Sequence, residues 1–160
     1  MFKFISSMET GVITTFGKLS RLAYPGINIY LPIVQQVHLV NNRLCENQCN
    51  IVVRTADKVF PTLDISIQYR VLPEDSGKAF FEMANPVQQM ISYTDNIVRK
   101  VSSGFTLDSL FESQSHIADA ILEDVGPKMK QGGFTIESAQ IRNIAPPTDI
   151  LKSMNEINAS

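Results

Sequence analysis

The sequence predicts an α+β fold in which an antiparallel sheet is covered on one face by helices. Residues 59–71 alternate apolar and polar side chains almost without interruption, which is typical of a strand with one buried face. Residues 86–101 and 106–131 instead repeat apolar residues at helical spacing. The chain of 160 residues is long enough to bury one hydrophobic core.

The first half of the chain predicts further short strands separated by turns. β-branched and other apolar residues favour an extended backbone in four segments, residues 11–16, 27–31, 37–40 and 51–54. Gly17-Lys18 turns the chain after the first of them. Pro25-Gly26 suits a type II turn, because proline fixes one φ and glycine accepts a positive one. The asparagine-rich residues 41–50 are predicted to be a linker.

The second half predicts helices followed by one more strand. Asn85 and Pro86 are typical of an N-cap and a first helical position, and Gly104 ends this helix. The next helical stretch is predicted to break near Ser113 and again at Gly126-Pro127. It buries Ile117, Ile121, Leu122 and Val125 on one side. Residues 134–143 then return to a strand.

The chain divides into three parts at its composition changes. Residues 1–8 form an N-terminal apolar tip, residues 9–145 form the domain, and Pro146-Pro147 opens residues 146–160. This last part predicts the start of a C-terminal helix with a narrow apolar stripe, typical of a coiled coil. The stripe, a candidate oligomerisation face, consists of Ile150, Leu151, Met154 and Ile157.

The apolar tip is the candidate membrane contact. Aromatic residues and lysine are both tolerated at a membrane interface, and the candidate residues are Phe2, Lys3, Phe4 and Ile5. No stretch reaches the roughly 20 apolar residues that a spanning helix requires, so peripheral association is expected. The alternative is a frayed or strand-paired terminus without a membrane role.

Charge and cysteine content narrow the possible partners. Lysine and arginine number 14 against 16 acids, giving a net charge of −2. Nucleic-acid binding requires clustered basic side chains, so no nucleic-acid partner is expected.

Cys45 and Cys49 form a C-x3-C pair without a C-x-x-C motif, which favours two reduced, unreactive thiols over a redox site.

One group of side chains resembles a metal site. Glu112, His116, Asp119 and Glu123 have spacings that place them on one helical face. That face lies opposite the apolar residues Ile117, Ile121 and Val125, so a solvated polar surface is the favoured interpretation. No serine elbow, phosphate loop or paired carboxylates are present. We therefore expect no catalytic residue, no cofactor and no metal.

Several segments together resemble the band 7, or SPFH (stomatin, prohibitin, flotillin), superfamily and most closely its plant-type hypersensitive-induced-reaction branch. The segments that carry the resemblance are Thr15-Phe16-Gly17-Lys18, Tyr24-Pro25-Gly26-Ile27, Thr55-Ala56-Asp57-Lys58-Val59, Ser66-Ile67-Gln68-Tyr69-Arg70 and Met154-Asn155-Glu156-Ile157-Asn158-Ala159. They cover the chain from about residue 9 to its end, in the family's order and spacing.

The resemblance implies a non-enzymatic scaffold that associates peripherally with the cytoplasmic face of a membrane. It implies a homo-oligomer in the full-length form, which organises membrane microdomains or modulates other membrane proteins. Plant-type members resemble one another in an acylated glycine after the initiator methionine, a place that Phe2 holds here, so N-myristoylation is not expected. The alternative function is a soluble protein-binding module that regulates a partner such as a protease.

Overall fold

The computed structural model describes residues 1–147 and confirms the α+β class. The strands are β1 (Phe2–Ile5), β2 (Glu9–Thr15), β3 (Lys18–Ala23), β4 (Gly26–Ile29), β5 (Gln35–Asn41), β6 (Cys45–Val52), β7 (Thr62–Arg70) and β8 (Thr135–Ala145). The helices are α1 (Ser76–Phe81), α2 (Pro86–Ser102), α3 (Leu107–Glu112) and α4 (Gln114–Gln131), with a 3-10 turn at Pro73–Asp75. The coiled-coil candidates Ile150, Leu151, Met154 and Ile157 lie outside the described residues.

The strands form three sheets where one was expected. Their orders are β1-β4, β3-β2-β5 and β6-β7-β8. The pairings of β1 with β4, β2 with β3 and β2 with β5 are antiparallel. The strand predicted at residues 59–71 is present as the shorter β7 (Thr62–Arg70), with Leu63, Ile65 and Ile67 fully buried.

Two strand predictions were wrong, and both concern polar sequences. Residues 41–50 are not a linker, because β6 begins at Cys45. The prediction also omitted β3 (Lys18–Ala23), whose residues before Leu22 are all exposed. Propensity alone misses such strands, because their extended backbone is held by pairing with a neighbour and not by a buried apolar face.

The helices begin and end largely as predicted. α2 starts at Pro86, a break separates α3 from α4 at Ser113, and α4 ends before Gly132 and Gly133, which has φ +88°. The predicted break at Gly126-Pro127 was wrong, since α4 continues through Pro127. The burial of Ile117, Ile121 and Val125 is confirmed, whereas Leu122 is half-buried.

The described residues cluster into two compact units. The first unit comprises Met1–Cys45, Gln68–Pro86 and Gly126–Glu137, and the second comprises Glu46–Ile67, Val87–Val125 and the described residues from Ser138 onward. Several elements run from one unit into the other along the chain. No helix within residues 1–147 is long and apolar enough to span a bilayer.

Asn42 connects three segments of the first unit. Its buried amide donates to the carbonyl of Val71 at 2.8 Å and to the Ser76 hydroxyl at 3.2 Å. Its side-chain oxygen accepts a hydrogen bond of 2.6 Å from the hydroxyl of Thr10. Because a buried amide is costly unless its hydrogen bonds are made, this network fixes the junction between β2, β5 and the start of α1.

Thr55 organises the loop between β6 and β7 in the second unit. Its buried hydroxyl accepts from the amide of Val59 at 3.0 Å and donates to the Asp57 carboxylate. That carboxylate also accepts from the amide of Leu107, the first residue of α3, at 3.3 Å. The hydrogen bond from Thr55 holds the pKa of Asp57 below its ordinary value. These contacts give the segment Thr55–Val59 a structural role.

Candidate membrane-contact surface

The N-terminal residues pair with β4 to form a two-stranded ribbon. In its register Phe2 lies opposite Ile29 and Phe4 opposite Ile27. Side chains two residues apart on a strand share a face, so these four apolar residues lie on the same face of the ribbon. Phe2 and Phe4 are each 71% exposed, Ile27 is 68% and Ile29 is 73% exposed. This face is therefore apolar and uncovered among the described residues.

The opposite face of the ribbon attaches it to the first unit. Ile5 is 1% exposed and packs with Ile13 and Ala23. A Cβ added to Gly11 would lie 3.2 Å from Ile5 Cδ1, so the absence of a side chain at Gly11 lets Ile5 approach β2 closely. The prediction that Ile5 contacts a membrane is corrected here, because strand alternation turns it into the core. Lys3, on the same side as Ile5, is exposed.

Hydrogen bonds at its ends and edge hold the ribbon in place. The amide of Tyr30 donates to the carbonyl of Met1 at 2.9 Å, and the terminal ammonium group donates to the carbonyl of Tyr30 at 3.2 Å. The Arg21 guanidinium, from β3, donates to the carbonyl of Ile29. The structure thus shows the strand-paired terminus that was the alternative to a membrane-inserting tip. The same pairing leaves Phe2 and Phe4 exposed.

Further exposed apolar side chains follow β4 and occupy the turn between β2 and β3. Leu31 is 63% exposed and Ile33 is 96% exposed. The carbonyl of Val34 accepts a hydrogen bond of 2.9 Å from the amide of Phe16, which is 81% exposed. The Gln35 side chain also ties this segment to β2, since its amide donates to the Thr15 hydroxyl at 3.1 Å.

Phe16 has a backbone conformation that disfavours its side chain. Phe16 and Gly17 join β2 to β3 with φ values of 53° and 83°, as a type I′ turn requires at both central positions. Asparagine and glycine are preferred at these positions, and a bulky residue in this region costs about 1–3 kcal/mol. Both the strain and the exposure of Phe16 are unfavourable in water, which is a pattern typical of a functional contact residue.

We call these residues together the exposed apolar surface; its members are Phe2, Phe4, Phe16, Ile27, Ile29, Leu31 and Ile33. Soluble monomers rarely leave a large continuous apolar patch uncovered, and such patches mark contacts with proteins or membranes. Aromatic and aliphatic side chains with nearby lysines suit a membrane interface. Lys3 and Lys18 are exposed on the same ribbon and turn.

Comparison with known protein families matches residues 3–160 to the SPFH domain / Band 7 family. The chain belongs to the SPFH family. It is 34% identical over 158 residues to hypersensitive-induced response protein 4 of Arabidopsis thaliana, a match that covers 98% of this chain and 54% of that protein. The resemblance to the hypersensitive-induced-reaction branch is thereby confirmed.

Bacterial relatives match the SPFH chain over a similar extent. It is 24% identical over 163 residues to the modulator of FtsH protease HflK of Escherichia coli, covering 99% of this chain and 38% of that protein. It is 26% identical to protein HflK of Buchnera aphidicola, with 99% and 39% covered. The chain thus spans between about a third and a half of the length of these relatives.

The candidate metal residues of the SPFH chain do not share one helix. Glu112 ends α3, whereas His116, Asp119 and Glu123 lie on α4 after the break at Ser113. All four side chains are exposed, as the solvated interpretation predicted. The His116 ring lies edge-on to Phe105 at 5.7 Å between ring centroids. Within residues 1–147, no three His, Cys, Asp or Glu side chains are grouped to hold a metal.

The two cysteines lie on β6 and are free thiols. Four residues along a strand span about 13 Å, well beyond the Cα separation that a disulfide allows. Burial raises the pKa of the Cys49 thiol, and the charges of Asp64 and Asp95 raise it further. A raised pKa lowers the fraction of nucleophilic thiolate, so Cys49 is poorly suited to thiol chemistry at neutral pH.

The sequence prediction found two of the seven residues of the exposed apolar surface. It included Phe2 and Phe4 because they lie next to the terminus. It missed the β4 residues, because the alternation of Ile27, Ile29 and Leu31 with polar neighbours fits a buried face and an exposed one equally well. The available signal was Phe16 before Gly17, since a turn of two residues there leaves the aromatic ring no core to enter.

Proposed function

We propose that this SPFH chain is part of a non-enzymatic scaffold that lies peripherally on the cytoplasmic face of a membrane. In its full-length form the protein self-assembles and organises membrane microdomains or membrane protein complexes. The observation that carries the proposal is the exposed apolar surface, whose residues lie on the β1-β4 ribbon, in the segment after β4 and in the Phe16-Gly17 turn. The side chains that insert are Phe2, Phe4 and their neighbours on that surface, with Lys3 near the headgroups.

The energetics support weak binding by one copy and firm binding by an assembly. Transferring a large apolar side chain out of water contributes about 1.5–3 kcal/mol when it is fully buried. A few partly inserted side chains of the exposed apolar surface therefore give modest affinity. Linked copies on one membrane multiply that affinity without new contacts, which is the behaviour that a self-assembling scaffold needs.

Liposome flotation of a double variant, Phe4→Ser/Ile29→Ser, tests the membrane contact. Both residues are on the exposed face and outside the core, so the fold is retained and binding falls about 100-fold, roughly tenfold for each side chain. The matched control is Phe60→Ser/Phe111→Ser, which removes two side chains that are 53% and 45% exposed but lie outside this surface. The control is expected to bind liposomes like the parent.

Equal flotation of both double variants, with circular dichroism unchanged, would contradict the membrane role of this surface. Failure of the parent chain to bind liposomes at all would favour the second candidate, a soluble module that regulates a protein partner such as a protease. That candidate is supported by the relative named as a modulator of FtsH protease. It is tested by protease pull-down with the same two double variants.

We further propose that self-assembly in the full-length protein depends on the predicted coiled coil. Its first apolar positions are Ile150, Leu151, Met154 and Ile157, and two heptads are too short for a stable coiled coil alone. Light scattering of the 160-residue chain is therefore expected to give a monomer or a weak oligomer. A stable large ring from this chain would contradict the dependence on the coiled coil.

A further inference from the structure

The first unit contains a cavity of about 330 Å³ that the membrane-contact surface does not use. Its walls are largely apolar and include Leu39 of β5, Val71, Phe80 of α1 and Phe134. Val71 and Phe134 are buried, whereas Leu39 and Phe80 are 47% and 41% exposed. A partly open apolar cavity of this volume is at the small end of the range for ligand sites.

Polar groups with unused hydrogen-bonding capacity also line the cavity. Tyr69 leans on Phe134, with ring centroids 6.3 Å apart, and its hydroxyl makes no hydrogen bond within residues 1–147. Burial raises the pKa of Tyr69, so the phenol stays protonated and able to donate. The Arg43 guanidinium likewise has no ion-pair partner in the described part of the chain.

The charge of the cavity specifies the ligand's head group. Arg43 is the lining cation without a described partner, because the other, Arg70, has its Nε 3.3 Å from Glu137 Oε1. One guanidinium and one neutral phenol in the lining of the same cavity match a single planar, singly charged acceptor such as a carboxylate. A doubly charged phosphate would lack a second partner.

We propose that this cavity binds a single-chain carboxylate of the medium-chain fatty acid class. Arg43 and Tyr69 donate to the carboxylate, while the alkyl chain lies against Val71 and Phe134. The site is independent of the membrane-contact surface, since it shares no residue with it. It gives the protein a means of responding to free fatty acids.

Isothermal titration calorimetry with sodium hexanoate, octanoate, decanoate and dodecanoate tests the proposal, at concentrations below micelle formation. Affinity is expected to rise about fourfold for each added CH₂, the fold-change equivalent to about 0.8 kcal/mol. The rise ends once the chain fills the cavity. 1-Decanol, which lacks the charge, is expected to bind at least tenfold more weakly than decanoate. Equal binding of decanol and decanoate would overturn the proposal.

Two variants separate the cavity from general adsorption of amphiphiles. Tyr69→Phe removes one oxygen atom and Arg43→Met removes an exposed charge, so both are expected to fold and to weaken decanoate binding about tenfold. Arg54→Met, at an exposed arginine outside the cavity, is the matched control and should keep the parent affinity. Unchanged decanoate binding in both cavity variants would overturn the proposal.

Two further binding measurements test whether decanoate binds elsewhere and whether the cavity prefers a peptide C-terminus. The Phe4→Ser/Ile29→Ser variant should bind decanoate like the parent, and loss of binding there would reassign the fatty acid to the exposed apolar surface. N-acetyl-leucine presents the carboxylate and side chain of a peptide C-terminus. Binding of that compound without binding of octanoate would identify a peptide site and overturn the fatty-acid proposal.

Discussion

The helix α4 and the β1-β4 ribbon place the same kinds of side chain in opposite environments. On α4, Ile117, Ile121 and Val125 are fully buried, and the opposite face is polar and exposed. On the ribbon, Ile27 and Ile29 are exposed together with Phe2 and Phe4. The first arrangement stabilises the fold. The second costs solvation in water and so indicates a contact with something outside the described chain.

The largest expected effect is the loss of stability when the α4 core is truncated. Ile121→Ala removes a fully buried side chain and should lower the free energy of unfolding by about 2–5 kcal/mol. The same change on the ribbon, Ile29→Ala, should stay within about 0.5 kcal/mol of the parent. Urea denaturation followed by circular dichroism measures both. Similar losses of unfolding free energy for Ile121→Ala and Ile29→Ala would show that Ile29 stabilises the fold as much as the α4 core does.

A buried polar network should cost nearly as much to break as the apolar core. Asn42→Leu leaves the Thr10 hydroxyl and the Val71 carbonyl without their partner, which we expect to lower the free energy of unfolding by about 2–3 kcal/mol. Asn50→Leu, at an exposed asparagine of β6, is the control with little change. An Asn42→Leu variant with an unchanged free energy of unfolding would mean that apolar packing alone stabilises the first unit.

The turn at Phe16 offers a variant that gains stability while losing function. Phe16→Asn places a residue that tolerates positive φ at 53°, and we expect the free energy of unfolding to rise by about 1 kcal/mol. Liposome binding should fall about tenfold because an exposed aromatic side chain is lost.

Phe60→Asn is the control, because it changes an equally apolar side chain that is 53% exposed at a position without positive φ. It should leave both quantities near those of the parent. A Phe16→Asn variant that is less stable than the parent would show that the ring packs favourably in the isolated protein.

The smallest effect concerns the thiol of Cys49 on β6. Burial and two nearby carboxylates raise its pKa, so the pH at which iodoacetamide alkylation accelerates should lie above that of the denatured chain. The thiol is neutral in both states below the unfolded pKa. As pH rises from the unfolded pKa to the folded pKa, only the unfolded thiol ionises and stability falls. The rate of iodoacetamide alkylation as a function of pH, measured on the Cys45→Ala variant, reports the pKa of Cys49 alone. Identical pH profiles for the folded and the denatured chain would contradict a desolvated environment for Cys49.

The elements that could be predicted from the sequence are those in which the local pattern of apolar residues matches the face that the fold buries. The alternation of residues 59–71, the apolar stripe of α4 and the proline at the start of α2 each predict one element, and all three elements are present. The family followed from short segments in a fixed order, and one of them, Thr55–Val59, has its own hydrogen-bonded loop. Local patterns were sufficient here because each element buries the face that its own sequence makes apolar.

Which apolar residues are exposed to solvent depends on the tertiary structure. Ile5 and Phe4 are neighbours of similar character, yet one is buried and the other is 71% exposed. The pairing of β1 with β4 sets this difference, because the register and the attachment to Gly11 choose which side of the strand meets the core. Alternation gives every strand two faces, but whether an apolar face is covered depends on residues far away in the chain.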